Sequence, residues 1–130
     1  MYVLHTDTVI YFFKGEGNVA KNLLAIPPRE IGIPAVAVYE LHLKLFKLSD
    51  ATKRQEQLNK FIQTIQTLTF GVKEAKEATK IRANLEDLGI AIAPHEVLIA
   101  ATALAHNHTL VTHDTNRFQK IKKLTLADWY

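Results

Sequence analysis

The chain has 130 residues, enough for one domain with one continuous core and too few for two. Hydrophobic residues make up 48% of it and charged residues 22%, a balance that excludes disordered and fibrous classes. Cys is absent, which excludes disulfides and thiolate zinc sites, and the net charge is +3 with the basic residues dispersed, only a weak pointer to a polyanionic partner.

The opening residues lack a basic region followed by a long apolar run, and no stretch approaches a membrane span, so a cytoplasmic protein in a reducing compartment is expected. Tyr2, Val3 and Leu4 form a short β-prone run that ends in the polar residues His5, Thr6 and Asp7, as a buried strand does at a sheet rim. Thr6 or Asp7 is positioned to cap a helix starting near Thr8, which Gly15 and Gly17 break. Asn18 opens a second helical stretch, stopped by Pro27 and Pro28. Residues 31–33 read as a strand, and after Pro34 a helix carries Val36, Val38, Leu41, Leu45 and Leu48, with Glu40 off most of the apolar stripe.

From residue 51 to 68 the spacing of Leu58, Phe61, Ile62 and Ile65 predicts an amphipathic helix, followed by a strand over residues 68–70. The next helix spans residues 72–88, with Gly89 as its C-terminal stop. Pro94 introduces a helix over residues 96–106, rich in Ala and Leu. Residues 109–112 form a strand that runs into His113 and Asp114, and residues 124–126 form a last edge strand. Leu41, Leu45, Phe46, Leu48, Phe61 and Ile65 exceed what one buried face of each helix needs, which suggests either partner-binding surface between residues 34 and 68 or burial of both faces within the monomer.

Short strands alternating with helices imply an α/β fold with a mostly parallel sheet covered on both faces. Ligands in such folds bind outside the carboxyl ends of the strands. Asp7, Glu40, Glu96 and Asp114 are four acidic residues at the ends of different elements, and hard oxygen ligands of this kind suit Mg²⁺ or Mn²⁺. Taken singly, Asp7 also reads as a helix cap, Glu96 as a first-turn carboxylate and Asp114 as a turn former. Several carboxylates in one cleft predict a raised pKa for at least one of them. No His-Glu-x-x-His run or other zinc spacing is present; His42, His106 and His108 read as ordinary surface or turn residues.

The opening Met-Tyr-Val-Leu-His-Thr-Asp-Thr-Val-Ile-Tyr-Phe-Phe-Lys-Gly resembles the first strand and helix of VapC-type PIN domains, where Leu-Asp-Thr-Asn/Asp precedes an apolar helix and Lys-Gly. Val38-Tyr39-Glu40-Leu41 resembles the Ala-Glu-Leu segment of that family, and Ile81-Arg82-Ala83-Asn84-Leu85 its Ile-Arg-Ala-x-Leu helix. Residues 92–101 resemble its Ile-Gly-Pro-Asn-Asp-Leu-Leu-Ile-Ala-Ala segment, and Thr109-Leu110-Val111-Thr112-His113-Asp114 with Phe118 resembles its closing Thr-Leu-Val-Thr-x-Asn/Asp and Phe. The likeness runs the length of the chain in order.

This resemblance implies a single PIN-like α/β/α sandwich over residues 1–130 and a metal-dependent endoribonuclease. It also implies Mg²⁺ or Mn²⁺ as cofactor, RNA as substrate, a homodimer, and a VapB-like antitoxin that neutralises the toxin. The implied catalytic and metal residues are Glu40, Glu96, Asp114 and Asp7, with Thr112 as a supporting hydroxyl and Thr6, His95 and His113 beside them. Two positions depart from the pattern: His5 stands where the family has its first Asp, and Glu96 replaces another Asp. As a metal ligand, His5 would bring no negative charge and would favour transition ions over Mg²⁺. Asp7 lies two residues on, and in an extended strand would face the same side. The alternative is a degenerate PIN domain that binds RNA or antitoxin and cleaves poorly.

Overall fold

At only three residues, the strand β1 (Tyr2–Leu4) is nevertheless the middle of the sheet, hydrogen-bonded on both sides. Val3 and Leu4 are fully buried, as expected of a strand covered on both faces. In this computed structural model, which describes residues 1–130, α1 (Thr6–Lys14) and α2 (Val19–Leu24) lead through a short 3₁₀ turn (Pro28–Glu30) to β2 (Ile31–Pro34). Then come α3 (Ala35–Phe46), α4 (Ala51–Gln63), β3 (Gln66–Leu68), α5 (Val72–Asp87), α6 (Pro94–Ala105), β4 (Thr109–Val111), α7 (Thr115–Phe118) and β5 (Leu126–Ala127).

The five strands lie in the order β3-β2-β1-β4-β5, every neighbouring pair parallel. The order reverses between β1 and β4, because the chain first winds outward from β1 to β3 and then returns to the opposite side. Right-handed crossovers therefore place α1–α4 on one face and α5–α7 on the other, the expected α/β/α layering. A crevice opens at such a reversal, outside the carboxyl ends of the strands beside it.

Several boundaries differ from those expected. The helix α1 begins at Thr6 with His5 as its N-cap residue, so neither Thr6 nor Asp7 caps it. The helix α4 stops at Gln63, and Ile65, at helical spacing from Phe61 and Ile62, packs on the core from the following turn. The strand β3 starts at Gln66 rather than residue 68, because it is an edge strand whose exposed Gln66 and Thr67 carry no apolar signal. The last strand is likewise shifted, to Leu126–Ala127. The short helix α7, capped by Asp114, was not expected. Gly89 follows the C-cap Leu88, two residues past the last helical position of α5, at φ +67°, where a side chain would be strained.

His106 is not an ordinary turn residue. Its Nε2 lies 2.8 Å from the buried Glu74 carboxylate, which also accepts the Gly71 N–H at 2.8 Å, tying the end of α6 to the start of α5. The Gly71 N–H holds the Glu74 carboxyl below the usual glutamate range against the opposing effect of burial, and His106 adds to it. A depressed folded-state pKa contributes stability that is full above the unfolded pKa and lost as pH falls through the folded one. Glu74→Gln is therefore expected to cost about 1–3 kcal/mol in urea denaturation at neutral pH. That deficit should shrink in acid, where the wild-type carboxyl is itself protonated; a deficit constant with pH would contradict the assignment.

Candidate active site

Three helices begin at the carboxyl edge of the sheet, so their positive N-terminal ends converge there. Asp7 and Glu96 sit in the first turns of α1 and α6, and Glu40 lies in the second turn of α3. Their side chains reach a cavity of about 420 Å³ lined also by His5, Thr6, Tyr11, Lys14, Lys44, His95 and Arg117.

His5 organises the floor of this cavity. Its ring is buried, with Nδ1 2.8 Å from Asp7 Oδ1 and Nε2 2.9 Å from Glu96 Oε2. Nδ1 also faces the Asp7 backbone N–H at 3.2 Å, but the shorter carboxylate contact makes it a donor. Burial by itself lowers the His5 pKa; the hydrogen bonds and charges of Asp7 and Glu96 override this and raise it to about 9. His5 is accordingly an imidazolium at neutral pH, donating from both nitrogens. Its edge packs on Phe118, with ring centroids 5.1 Å apart.

The same cation decides the state of the carboxylates. Burial would raise the Asp7 and Glu96 pKa values, but His5 holds both below the ordinary range, with Thr112 and the His113 N–H adding for Asp7, and His95 and Arg117 for Glu96. The raised carboxylate pKa expected from crowding does not arise at either, since an internal cation lies between them. Asp7 meets His5 through the geometry of a helix start, not through strand alternation, because residue 7 is already in α1.

Glu40 accepts from the Thr6 hydroxyl at 3.0 Å through Oε1, and its Oε2 lies 3.2 Å from His95 Nε2. That nitrogen is also 3.1 Å from Glu96 Oε1. Glu40, His95 and Glu96 thus each offer a donor atom, all within 4.8 Å of one another. Two carboxylate oxygens and an imidazole nitrogen are a donor set that suits Mn²⁺ and other first-row ions. The His95 side chain is 45% exposed.

Thr112 is buried and its hydroxyl donates to Asp7 Oδ2 at 3.0 Å while accepting the Asp114 N–H at 3.1 Å. The His113 backbone N–H donates to the same Asp7 oxygen. Asp114 stands apart from the cavity: it caps α7, and its carboxylate faces Arg117 Nε at 3.0 Å. Arg117 reaches on to Glu96 at 3.5 Å, a link invisible without α7, which sets Asp114 and Arg117 three residues apart on one helical turn. Lys14, Tyr11 and Lys44 were also missed. Counting helical turns from the carboxylates finds them, since Asp7, Tyr11 and Lys14 share a face of α1, as Glu40 and Lys44 do of α3.

Known proteins share this fold. The chain matches the PIN domain over residues 2–124. The protein named Ribonuclease VapC2 of Rickettsia felis is 28% identical over 99% of this chain and 98% of its own length. Ribonuclease VapC of Rickettsia bellii is 34% identical over 71% of each chain. Among solved structures, VapBC2 from Rickettsia felis, bound to a DNA fragment from the promoter, superposes with a TM-score of 0.92 at 28% identity, covering 99% of this chain and 98% of that one. On its sequence, its sheet order and the carboxylates gathered at the sheet reversal, the chain belongs to the PIN-domain family, in its VapC branch.

Proposed function

We propose that this protein is a VapC-type toxin, a metal-dependent endoribonuclease that hydrolyses RNA phosphodiester bonds and is neutralised by a VapB-like antitoxin. The observation that carries this reading is the Glu40, His95 and Glu96 donor set in a cavity at the sheet reversal. The ribonuclease names of the Rickettsia relatives and the VapB-bound form of one of them support it. The weakly cleaving alternative is not favoured, because Glu40 and Glu96 still present charge to the cavity.

Glu40, Glu96 and His95 would hold the ion, with Asp7 adjoining, and the imidazole favours Mn²⁺ over Mg²⁺. A bound divalent ion supplies charge for the phosphate oxygens and a more acidic water as nucleophile. The chain's own residues do the rest. Thr6 and His5 fix the Glu40 and Glu96 carboxylates in orientation. Lys14, Lys44 and Arg117 line the cavity and supply the positive charge that draws a phosphate backbone toward an otherwise anionic floor. Thr112 and the His113 N–H hold Asp7 against β4.

For the antitoxin, the supporting feature is an apolar groove of about 620 Å³ between α1, α3 and α4, lined by Ile10, Phe13, Leu41, Leu45, Leu48 and Leu58. Of the apolar residues singled out between residues 34 and 68, Leu41, Leu45 and Leu48 line it, whereas Phe61 and Ile65 pack against the core. For a second copy, α3 exposes Tyr39 and Leu43 beside Pro94 and Leu98. No helix is long and apolar enough to cross a membrane.

Glu40→Gln and Glu96→Gln each remove one anionic donor, and titration calorimetry with Mn²⁺ should show binding abolished in both; wild-type affinity in both would sink the metal assignment. His5 occupies two carboxylates that would otherwise be open to an ion, so it weakens the site for Mg²⁺. The triple change His5→Asp, Glu96→Asp and Asp7→Asn, which restores the family pattern, should raise Mg²⁺-dependent RNA cleavage on the order of a hundredfold. Equal rates for wild type and triple variant would show that His5 is no defect.

A further inference from the structure

Beside the anionic cavity three rings from three elements come together: Tyr11 from α1, His113 after β4 and Tyr130 after β5. His113 stacks on Tyr130 with centroids 4.1 Å apart and planes 20° from parallel. Tyr11 meets both edge-on, 4.9 Å from Tyr130 and 5.7 Å from His113. We propose that this cluster is a stacking subsite for an unpaired nucleobase of the RNA, with His113 as the ring the base rests on. The proposal builds on the ribonuclease reading of the adjoining cavity.

The cluster is held in place from behind. Gly17, at φ +61°, lies against the Tyr130 ring so closely that an added Cβ would sit 2.8 and 2.9 Å from two ring carbons. The Tyr130 carbonyl accepts the Asn18 N–H, and the Tyr130 N–H donates to Asp128 at 3.0 Å. The other end of the stack is also fixed, since Asp128 takes His113 Nδ1 at 3.0 Å. A stack packed only to fill space would be buried, yet the His113 side chain is 43% exposed and Tyr130 is 40% exposed. Rigid aromatic rings with exposed surface are what proteins use to hold single-stranded RNA, because every base has a face to stack and little side-chain freedom is lost.

Position relative to the cavity supplies the second argument. The His113 backbone N–H bonds directly to Asp7, and Tyr11 and Lys14, one helical turn apart on α1, both line the cavity. A nucleotide whose phosphate lies near Lys14 and Arg117 can thus set its base on the His113 ring. No side chain of the three is needed to hold Glu40, His95 or Glu96.

The test compares His113→Ala and His113→Phe with the wild-type chain. In chelator, anisotropy of labelled octaadenylate should show about tenfold weaker binding for His113→Ala, with recovery in His113→Phe, which keeps a ring and loses the Asp128 bond. Inorganic polyphosphate, which has the charge without bases, should bind all three equally. With Mn²⁺ and a mixed-sequence RNA, KM should rise in His113→Ala more than kcat falls. Unchanged octaadenylate affinity in His113→Ala, or a parallel loss of polyphosphate, overturns the subsite. Binding that depends on the His113 ring in a chain that cleaves no RNA supports the subsite and overturns the ribonuclease reading instead.

Discussion

The site depends on one interaction, the burial of a charged histidine between two carboxylates carried by different elements. The central strand β1 is hydrogen-bonded on both sides and must hand its chain directly to α1, so the residue at the junction is buried wherever the sheet is covered. An isolated buried charge would be costly; it is tolerated when partnered and hydrogen-bonded. His5 meets that condition at both nitrogens, through Asp7 of α1 and Glu96 of α6. With Glu96 Oε2 taken by His5, Oε1 is left to face His95 and Glu40.

Electrostatics outside this trio follow from topology. Parallel strands joined by right-handed crossovers bring helix N-termini to the carboxyl edge, where the first-turn carboxylates of α1 and α6 are stabilised. An all-anionic edge would repel any polyanion. Lys14 and Lys44 counter this by standing two turns past Asp7 on α1 and one turn past Glu40 on α3, and Arg117 by projecting from α7. Asp114 fits the same logic, since it orients Arg117 and caps the helix that carries it.

The His5 network also sets stability against function. The contacts that satisfy the imidazolium take up Asp7 Oδ1 and Glu96 Oε2, so the residue that rigidifies the junction also withdraws two carboxylate oxygens from the cavity. Active sites are commonly destabilised for the sake of activity, whereas this junction is fully paired.

Much of this was legible in the residues themselves. Alternating short apolar runs and amphipathic periods determined the α/β class, and the polar residues after β1 and β4 marked the edge where chemistry would occur, because period and polarity are local properties. Glu40, Glu96 and Asp7, which line the cavity, stood out the same way, as charges in apolar surroundings, and so did Asp114, which lies outside it. Only the tertiary structure decided which oxygen faces which partner. His5 reads as the loss of a charge when set against a pattern, yet in the fold it carries a charge of the opposite sign, since Glu96 lies 91 residues away in sequence and 2.9 Å away in space. Arg117 and the Tyr11–His113–Tyr130 stack escaped for the same reason. Each is defined by a neighbour from a distant segment, and sequence periodicity reports what a segment buries but not what it meets.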